Sequence, residues 1–257
     1  MSSSAPVDGT RGARAHGGAE ADATRPAAAP RVPGLLATAL IIARKDLAIE
    51  FRTRTAFFSA LVFALLGIVV FYFAWDPTSV AAFELAPGVL WVIFTFSGLL
   101  ALQRSFSLEL MDRAIDGVLS SPAPREAVYL GKVIANLVFV GAVQVVAIPA
   151  VGLFYNVPLA PVAGGLALVA ALAAVGLVAV GTLFSAITVN TRLSELLLPV
   201  LSLPFFVPIV VPAAQSTARM LAGRPVAESL PWLKLLIAFD IVFLISCALA
   251  FPYTLEE

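Results

Sequence analysis

This chain predicts an all-α integral membrane protein: six transmembrane helices preceded by an amphipathic helix at the membrane surface. Three observations carry that reading. First, 60% of the 257 residues are hydrophobic and 12% are charged, against roughly 45–50% and about 25% in soluble domains. A soluble fold of this length could not hide that much apolar surface, so the bilayer must solvate most of it. Second, six apolar runs approach or exceed the roughly 20 residues that a spanning helix needs. Third, the 16 Lys and Arg residues fall unevenly about those runs: 13 on one side of the membrane and three on the other. By the positive-inside rule the rich side is the cytoplasm. That places both termini and the longest polar segment inside.

The first 33 residues are rich in Ala, Gly, Pro, Ser and Arg and lack the apolar core of a secretory signal. They read as a disordered cytoplasmic arm, with a binding role as the alternative. Residues 34–55 follow as the amphipathic helix. Leu36, Leu40, Ala43, Leu47 and Phe51 recur at helical spacing, while Arg44, Lys45, Asp46, Glu50, Arg52 and Arg54 lie mostly off that stripe. A basic amphipathic helix lies in the headgroup plane with its cations near anionic lipid. Residues 56–257 then make the six-span domain. Span 1 is Ala56–Trp75, with Tyr72 and Trp75 at the outer aromatic belt. Span 2 covers about Leu85–Leu102, with Glu84 marking its outer boundary. Span 3 covers Val133–Phe154 and span 4 Val162–Val189. The latter holds Gly164, Gly165, Gly176 and Gly181, small residues of the kind that let helices approach closely in lipid. Span 5, Leu196–Ala214, carries Pro199, Pro204, Pro208 and Pro212. Each proline removes a backbone donor, so the helix is read either as a hinge or substrate-facing groove, or as a static kinked span. Span 6 is Leu235–Pro252. The aromatic residues of spans 1 and 2, Trp91, Phe94 and Phe96 among them, are expected to meet lipid.

The longest polar interruption, residues 103–132, is where a soluble partner would act. Two membrane spans are usually joined by a few residues, and here about thirty intervene. Met111–Ser121 reads as a short amphipathic helix. Ile115, Val118 and Leu119 form an apolar edge among Glu109, Asp112, Arg113 and Asp116. Gly117 interrupts the helix and Pro122 ends it. Such an edge fits a groove on a partner; the other reading is a helix resting on the membrane.

Several function classes are excluded or disfavoured. The chain has no net charge, so nothing points to nucleic acid. Cys247 is the single cysteine and His16 the single histidine, so no disulfide framework and no protein-held metal or haem centre is expected. GxxxxGK followed by Ser or Thr is absent, which removes the usual nucleotide-phosphate cradle. No HExxH or GxSxG appears, so the chain does not read as an enzyme. Three polar residues inside the spans are functional candidates: Asp240, Asn136 and Gln144. A carboxylate at mid-membrane costs about 2.5–3.5 kcal/mol on insertion scales. Asp240 is expected about one turn inside the outer end of span 6, where water or Lys234 satisfies it.

Three runs carry a family resemblance: RKDLAIEFRTR before span 1, APGVLWVIFTFSGLLALQRSF in span 2, and ELMDRAIDGVLSSPAPREAVYLGKVIAN after it. In order and spacing across about residues 35–255 the chain resembles the CcmB family, the membrane subunit of the cytochrome c maturation ABC transporter. The resemblance implies an ABC-2, type-2 exporter-like permease that dimerises or pairs within a complex. It implies a separate ATPase subunit like CcmA, membrane partners like CcmC and CcmD, and a periplasmic haem chaperone like CcmE. ATP would sit on the partner chain, and haem enters only as cargo, with nothing bound covalently. The coupling role carries over to Glu109, Asp112, Asp116, Gly117, Pro122, Gly131 and Lys132. The alternatives are an ABC-2-type permease for lipid, glycan or drug, and a membrane scaffold that transports nothing.

Overall fold

The computed structural model describes residues 34–111, 125–188 and 194–254, the side chains of 104–111 and 194–195 excepted. The arm 1–33 and the segment 112–124 lie outside the described residues. Seven α-helices follow in order: α1 Leu35–Thr53, α2 Thr55–Ala74, α3 Ala82–Met111, α4 Arg125–Phe154, α5 Ala163–Thr188, α6 Ser194–Leu221 and α7 Leu230–Thr254. Short 3-10 turns at Ala160–Val162 and Val226–Glu228 lead into α5 and α7. Six helices, α2 to α7, are long and apolar enough to cross a membrane.

The packing order follows residue size. In α3 and α5, 72% of the spanning window is buried in the protein, against 22% in α2 and α7, so α3 and α5 form the inner pair. Helix α5 can sit centrally because many of its buried residues are small, Ala170, Ala173, Ala174, Gly176, Ala179 and Gly181 among them, interleaved with Val169, Leu177, Val178 and Val180. Around it stand α3, α4, α6 and α7. Helix α2 attaches to α3 and α4 through Ala60, Ala64 and Ile68, one residue per turn on a single face.

Two expectations need correction here. Trp91 and Phe94 do not meet lipid: they are buried, and the Trp91 indole Nε1 donates to Thr217 Oγ1 on α6 at 3.0 Å. Their helix is central, and a buried indole N–H requires an acceptor. The polar interruption 103–132 is also mostly helix. Helix α3 continues through QRSFSLELM, and α4 begins at Arg125, so only 112–124 separates them. Polarity marks where the membrane ends; Gln, Arg, Leu, Glu and Met still favour helix beyond it.

The prolines do not interrupt α6, whose helical assignment runs unbroken through all four. The outer end of α2 closes with an aromatic group in which Tyr72 and Trp75 pack on Tyr155. The next turn is fixed by Asp76, whose carboxylate accepts from the Thr78 and Ser79 hydroxyls at 2.7 Å each. Those bonds, Thr78 first, hold the exposed Asp76 carboxyl below the usual carboxylate range.

Candidate functional site

Of the sequence-derived coupling residues, Asp112, Ile115, Asp116, Gly117, Val118, Leu119 and Pro122 lie outside the described residues, and so does the side chain of Glu109. Gly131 and Lys132 fall within α4, and both are buried. They sit where α1 crosses α4. A Cβ on Gly131 would stand 2.7 Å from the Ala39 carbonyl oxygen and 2.8 Å from Ile42 Cβ. Only glycine lets the two backbones come that close. One residue on, Lys132 is 1% exposed. Its ammonium donates to the Asp46 carboxylate at 3.4 Å, and Lys45 also reaches Asp46, at 3.1 Å. Gly131 and Lys132 therefore face α1 rather than an open surface.

The same end of α4 is tied to two more helices. Tyr129 donates its hydroxyl hydrogen to the Ala179 carbonyl on α5 at 3.0 Å. Arg125 Nη1 donates to the Pro252 carbonyl on α7 at 3.3 Å. On the other flank of 112–124, Ser185 Oγ on α5 donates to the Leu102 carbonyl of α3 at 2.9 Å. Both stems of the 112–124 segment are thus anchored in the inner helices. The contacts to α1, α5 and α7 all fall within the first two turns or so of α4.

The α1 stripe divides in the structure. Thr38, Ala39 and Ala43 are buried against α4, whereas Leu36, Leu40 and Phe51 point away from the protein, 70%, 58% and 69% exposed. The small side chains take the protein contact because α1 and α4 cross at Gly131. The elbow to α2 is built on Arg54, in the left-handed region at φ 55°. Glu50 spans it: its Oε1 accepts the Phe57 amide of α2 at 3.1 Å, filling one of the vacant donors at that helix start.

Of the three intramembrane polar residues, two act as ties. Asn136 Nδ2 donates to Thr182 Oγ1 at 3.1 Å, and Gln144 Nε2 donates to the Ala170 carbonyl at 3.2 Å, both joining α4 to α5. Asp240 differs, and its expected position is corrected. Helix α7 starts at Leu230, so Asp240 lies ten residues in, about 15 Å along the axis. That is near the middle of a 25-residue helix rather than one turn from its outer end. It is 5% exposed, and neither carboxylate oxygen has a hydrogen-bond partner, so Lys234 does not satisfy it. It fits because α5 has a glycine opposite: a Cβ on Gly176 would stand 2.5 Å from Asp240 Oδ1 and 2.9 Å from Ile209 Cδ1 of α6. Sequence reading placed the helix start too late, since Leu230, Pro231 and Trp232 before Lys234 already belong to it.

The α1–α4 crossing gives a prediction. Gly131→Val drives a Cβ into a backbone oxygen that cannot rotate away, so α1 must shift. Overpacking of this kind costs about 1–3 kcal/mol. Asp46→Asn keeps the shape but takes the charge out of both contacts, to Lys132 and Lys45; a charge-assisted bond of the buried Lys132 kind is worth about 1.5–3 kcal/mol. Both variants should lower the unfolding midpoint in detergent and speed proteolysis between α1 and α2. Because they act on one seam, the double variant should fall short of the sum. Full additivity would mean the two contacts are independent.

Comparison with known proteins gives a consistent result. A family model described as "CcmB protein" matches residues 37–257. A protein named heme exporter protein B in Rhodobacter capsulatus is 30% identical over 74% of this chain and 86% of its own length. The Paracoccus denitrificans protein of that name is 31% identical over the same shares, 74% and 86%. The Pseudomonas aeruginosa one is 30% identical over 77% of this chain and 88% of its own.

Proposed function

The chain belongs to the CcmB family, and from that membership we propose that it is the permease subunit of an ABC transporter serving cytochrome c maturation. ATP hydrolysis by a separate subunit like CcmA would be coupled to haem export, or to release of a haem-loaded periplasmic chaperone like CcmE. Subunits like CcmC and CcmD would be its membrane partners, and the chain would dimerise or pair with them within the complex. The relatives are named as haem exporters, which supports haem as the cargo. What supports the coupling role is the anchoring of α4: Arg125, Tyr129, Gly131 and Lys132 tie the start of the helix that follows 112–124 to α7, α5 and α1.

The test is reconstitution. The purified chain alone should hydrolyse no ATP, because its sequence has no phosphate-cradling motif. Hydrolysis should appear when the partner ATPase is added, and co-purification with mass and spectral identification should recover that subunit with haem-handling partners. Hydrolysis that persists in rigorously pure chain would defeat the proposal.

Orientation follows from the basic asymmetry, with both termini and 112–124 in the cytoplasm of a bacterium and the chain in its inner membrane. Cysteines placed at Ser79 and Asn156 should be labelled from outside, and one at Ser121 from inside only. Outside labelling at Ser121 would reverse the topology and remove the coupling segment from its ATPase.

A further inference from the structure

We propose that the elbow between α1 and α2 is a binding site for one anionic phospholipid of the cytoplasmic leaflet. Its acyl chain would lie in the groove against α4, with its phosphate on Arg54. The leaflet assignment rests on the topology proposed above; the site itself does not. The groove has a volume of about 350 Å³ and runs between Leu47, Glu50, Phe51 and Arg54 at the elbow, Phe57 and Phe58 of α2, and Phe139 of α4, with the Glu50 carboxylate turned to the Phe57 amide. Its walls are aromatic and aliphatic, and Phe51 and Phe58 are 69% and 52% exposed beside it. An acyl chain is the ligand chemistry that such walls accept.

The charge at the mouth selects the headgroup. Helix α1 and its cap carry both signs, but the acids are engaged. Asp46 is held by Lys132 and Lys45, and Glu50 by the Phe57 amide. Arg44, Arg52 and Arg54 are exposed and make no ion pair among the described residues. Arg54 uses Nε to bond the Phe51 carbonyl at 3.2 Å, which orients its guanidinium at the groove. Its terminal nitrogens remain for a phosphate, a pairing in which arginine is bidentate. The left-handed backbone at Arg54 is uncommon for a side chain of this size. Asparagine tolerates that backbone without the cation.

By composition, residues 1–33 lack the side chains to match such walls. Beyond Met1 their largest apolar side chains are Val7 and Val32, with no Leu, Ile or aromatic residue to fill an aromatic-walled groove.

The experiment uses the full chain in nanodiscs, with Phe58→Trp as a reporter and brominated acyl chains as the quencher. The probes are brominated phosphatidylglycerol and brominated phosphatidylcholine. One basic residue near an anionic headgroup contributes roughly a fivefold preference. Half-maximal quenching by phosphatidylglycerol is therefore expected at about fivefold lower mole fraction than by phosphatidylcholine. Arg54→Asn should bring the two lipids to parity while both still quench. Ala142→Phe, which fills the groove, should weaken quenching by both. Soluble glycerol phosphate should not compete. Equal quenching by the two lipids in the reporter protein, or an unchanged preference in Arg54→Asn, would overturn the proposal. Competition by glycerol phosphate would make this an anion site without an acyl chain. Quenching that vanishes as protein density rises would assign the groove to a second copy of the chain.

Discussion

Asp240→Leu is expected to make the protein more stable and, on the function proposed above, to abolish its support of cytochrome c maturation. The stability half follows from burial. An Asp at the centre of a membrane helix costs about 2.5–3.5 kcal/mol on insertion scales, whereas Leu is favourable by a few tenths. The structure shows no compensating bond: both oxygens are buried and unpartnered between Gly176 and Ile209. Leucine is bulkier than Asp and would face the same glycine, so overpacking of about 1–3 kcal/mol offsets part of that gain, and the net rise in stability at the seam between α5, α6 and α7 should be smaller than the insertion difference alone. The functional half follows from the same absence. A residue that destabilises the packed arrangement earns its place, if at all, in another arrangement, where water or a partner reaches it. Asp240→Asn keeps the shape and a polar group, and should fall between the two. Thermal unfolding in detergent and haem-stained cytochrome c in complemented cells measure the two halves separately. A variant that is more stable and fully active would show that Asp240 has no role beyond packing.

Gly176→Ala tests the same seam from the opposite side, because the added methyl would press on the Asp240 carboxylate and on Ile209. Its effect should shrink in the Asp240→Leu background only if the leucine turns away, so the pair reports how the seam repacks.

The six spans and their order were readable because a bilayer enforces length and apolarity on every crossing segment. Thr55–Ala74 and Ala163–Thr188 lie within a residue of their expected limits. Boundaries failed where helix and membrane end at different places. Helix α3 extends to Met111, and α4 starts eight residues before Val133, because helix propensity does not stop at the headgroups. Contacts between helices were less legible. Lys132 carries a coupling role by family resemblance, and nothing in its sequence neighbours announces Asp46, which is 86 positions away. The Gly-Lys pair did hold a signal, a close-approach residue beside a long cation, but its partner could be known only once α1 was placed on α4. Trp91 was misread for a related reason. Lipid-facing and protein-facing aromatics look alike in a uniformly apolar run, and only the central position of α3 separates them.

Leu119→Asp is expected to detach the ATPase subunit while leaving the permease inserted. Ile115, Val118 and Leu119 recur at helical spacing in the sequence between α3 and α4 and would give one apolar edge if that segment is helical. We propose that this edge fills a groove on the ATPase. Truncating a buried interface anchor often costs more than about 2 kcal/mol, roughly thirtyfold in affinity, and a charge in its place costs more. Membrane insertion should be unaffected, because residue 119 lies between the spans and both stems are anchored without it, by Ser185 on Leu102 and by Arg125, Tyr129 and Lys132 of α4. Gly117→Pro should give the same loss by breaking the helix backbone instead of its edge. Ala123→Ser, after Pro122, should be silent. The α1–α4 variants provide a contrast: Gly131→Val should leave ATPase binding intact and uncouple hydrolysis from maturation, since it loosens a helix downstream of the contact. Pull-down of the ATPase, permease abundance in the membrane and cytochrome c yield together distinguish these outcomes. If Leu119→Asp retains its ATPase at wild-type yield, the 112–124 segment rests on the membrane and the docking surface lies elsewhere.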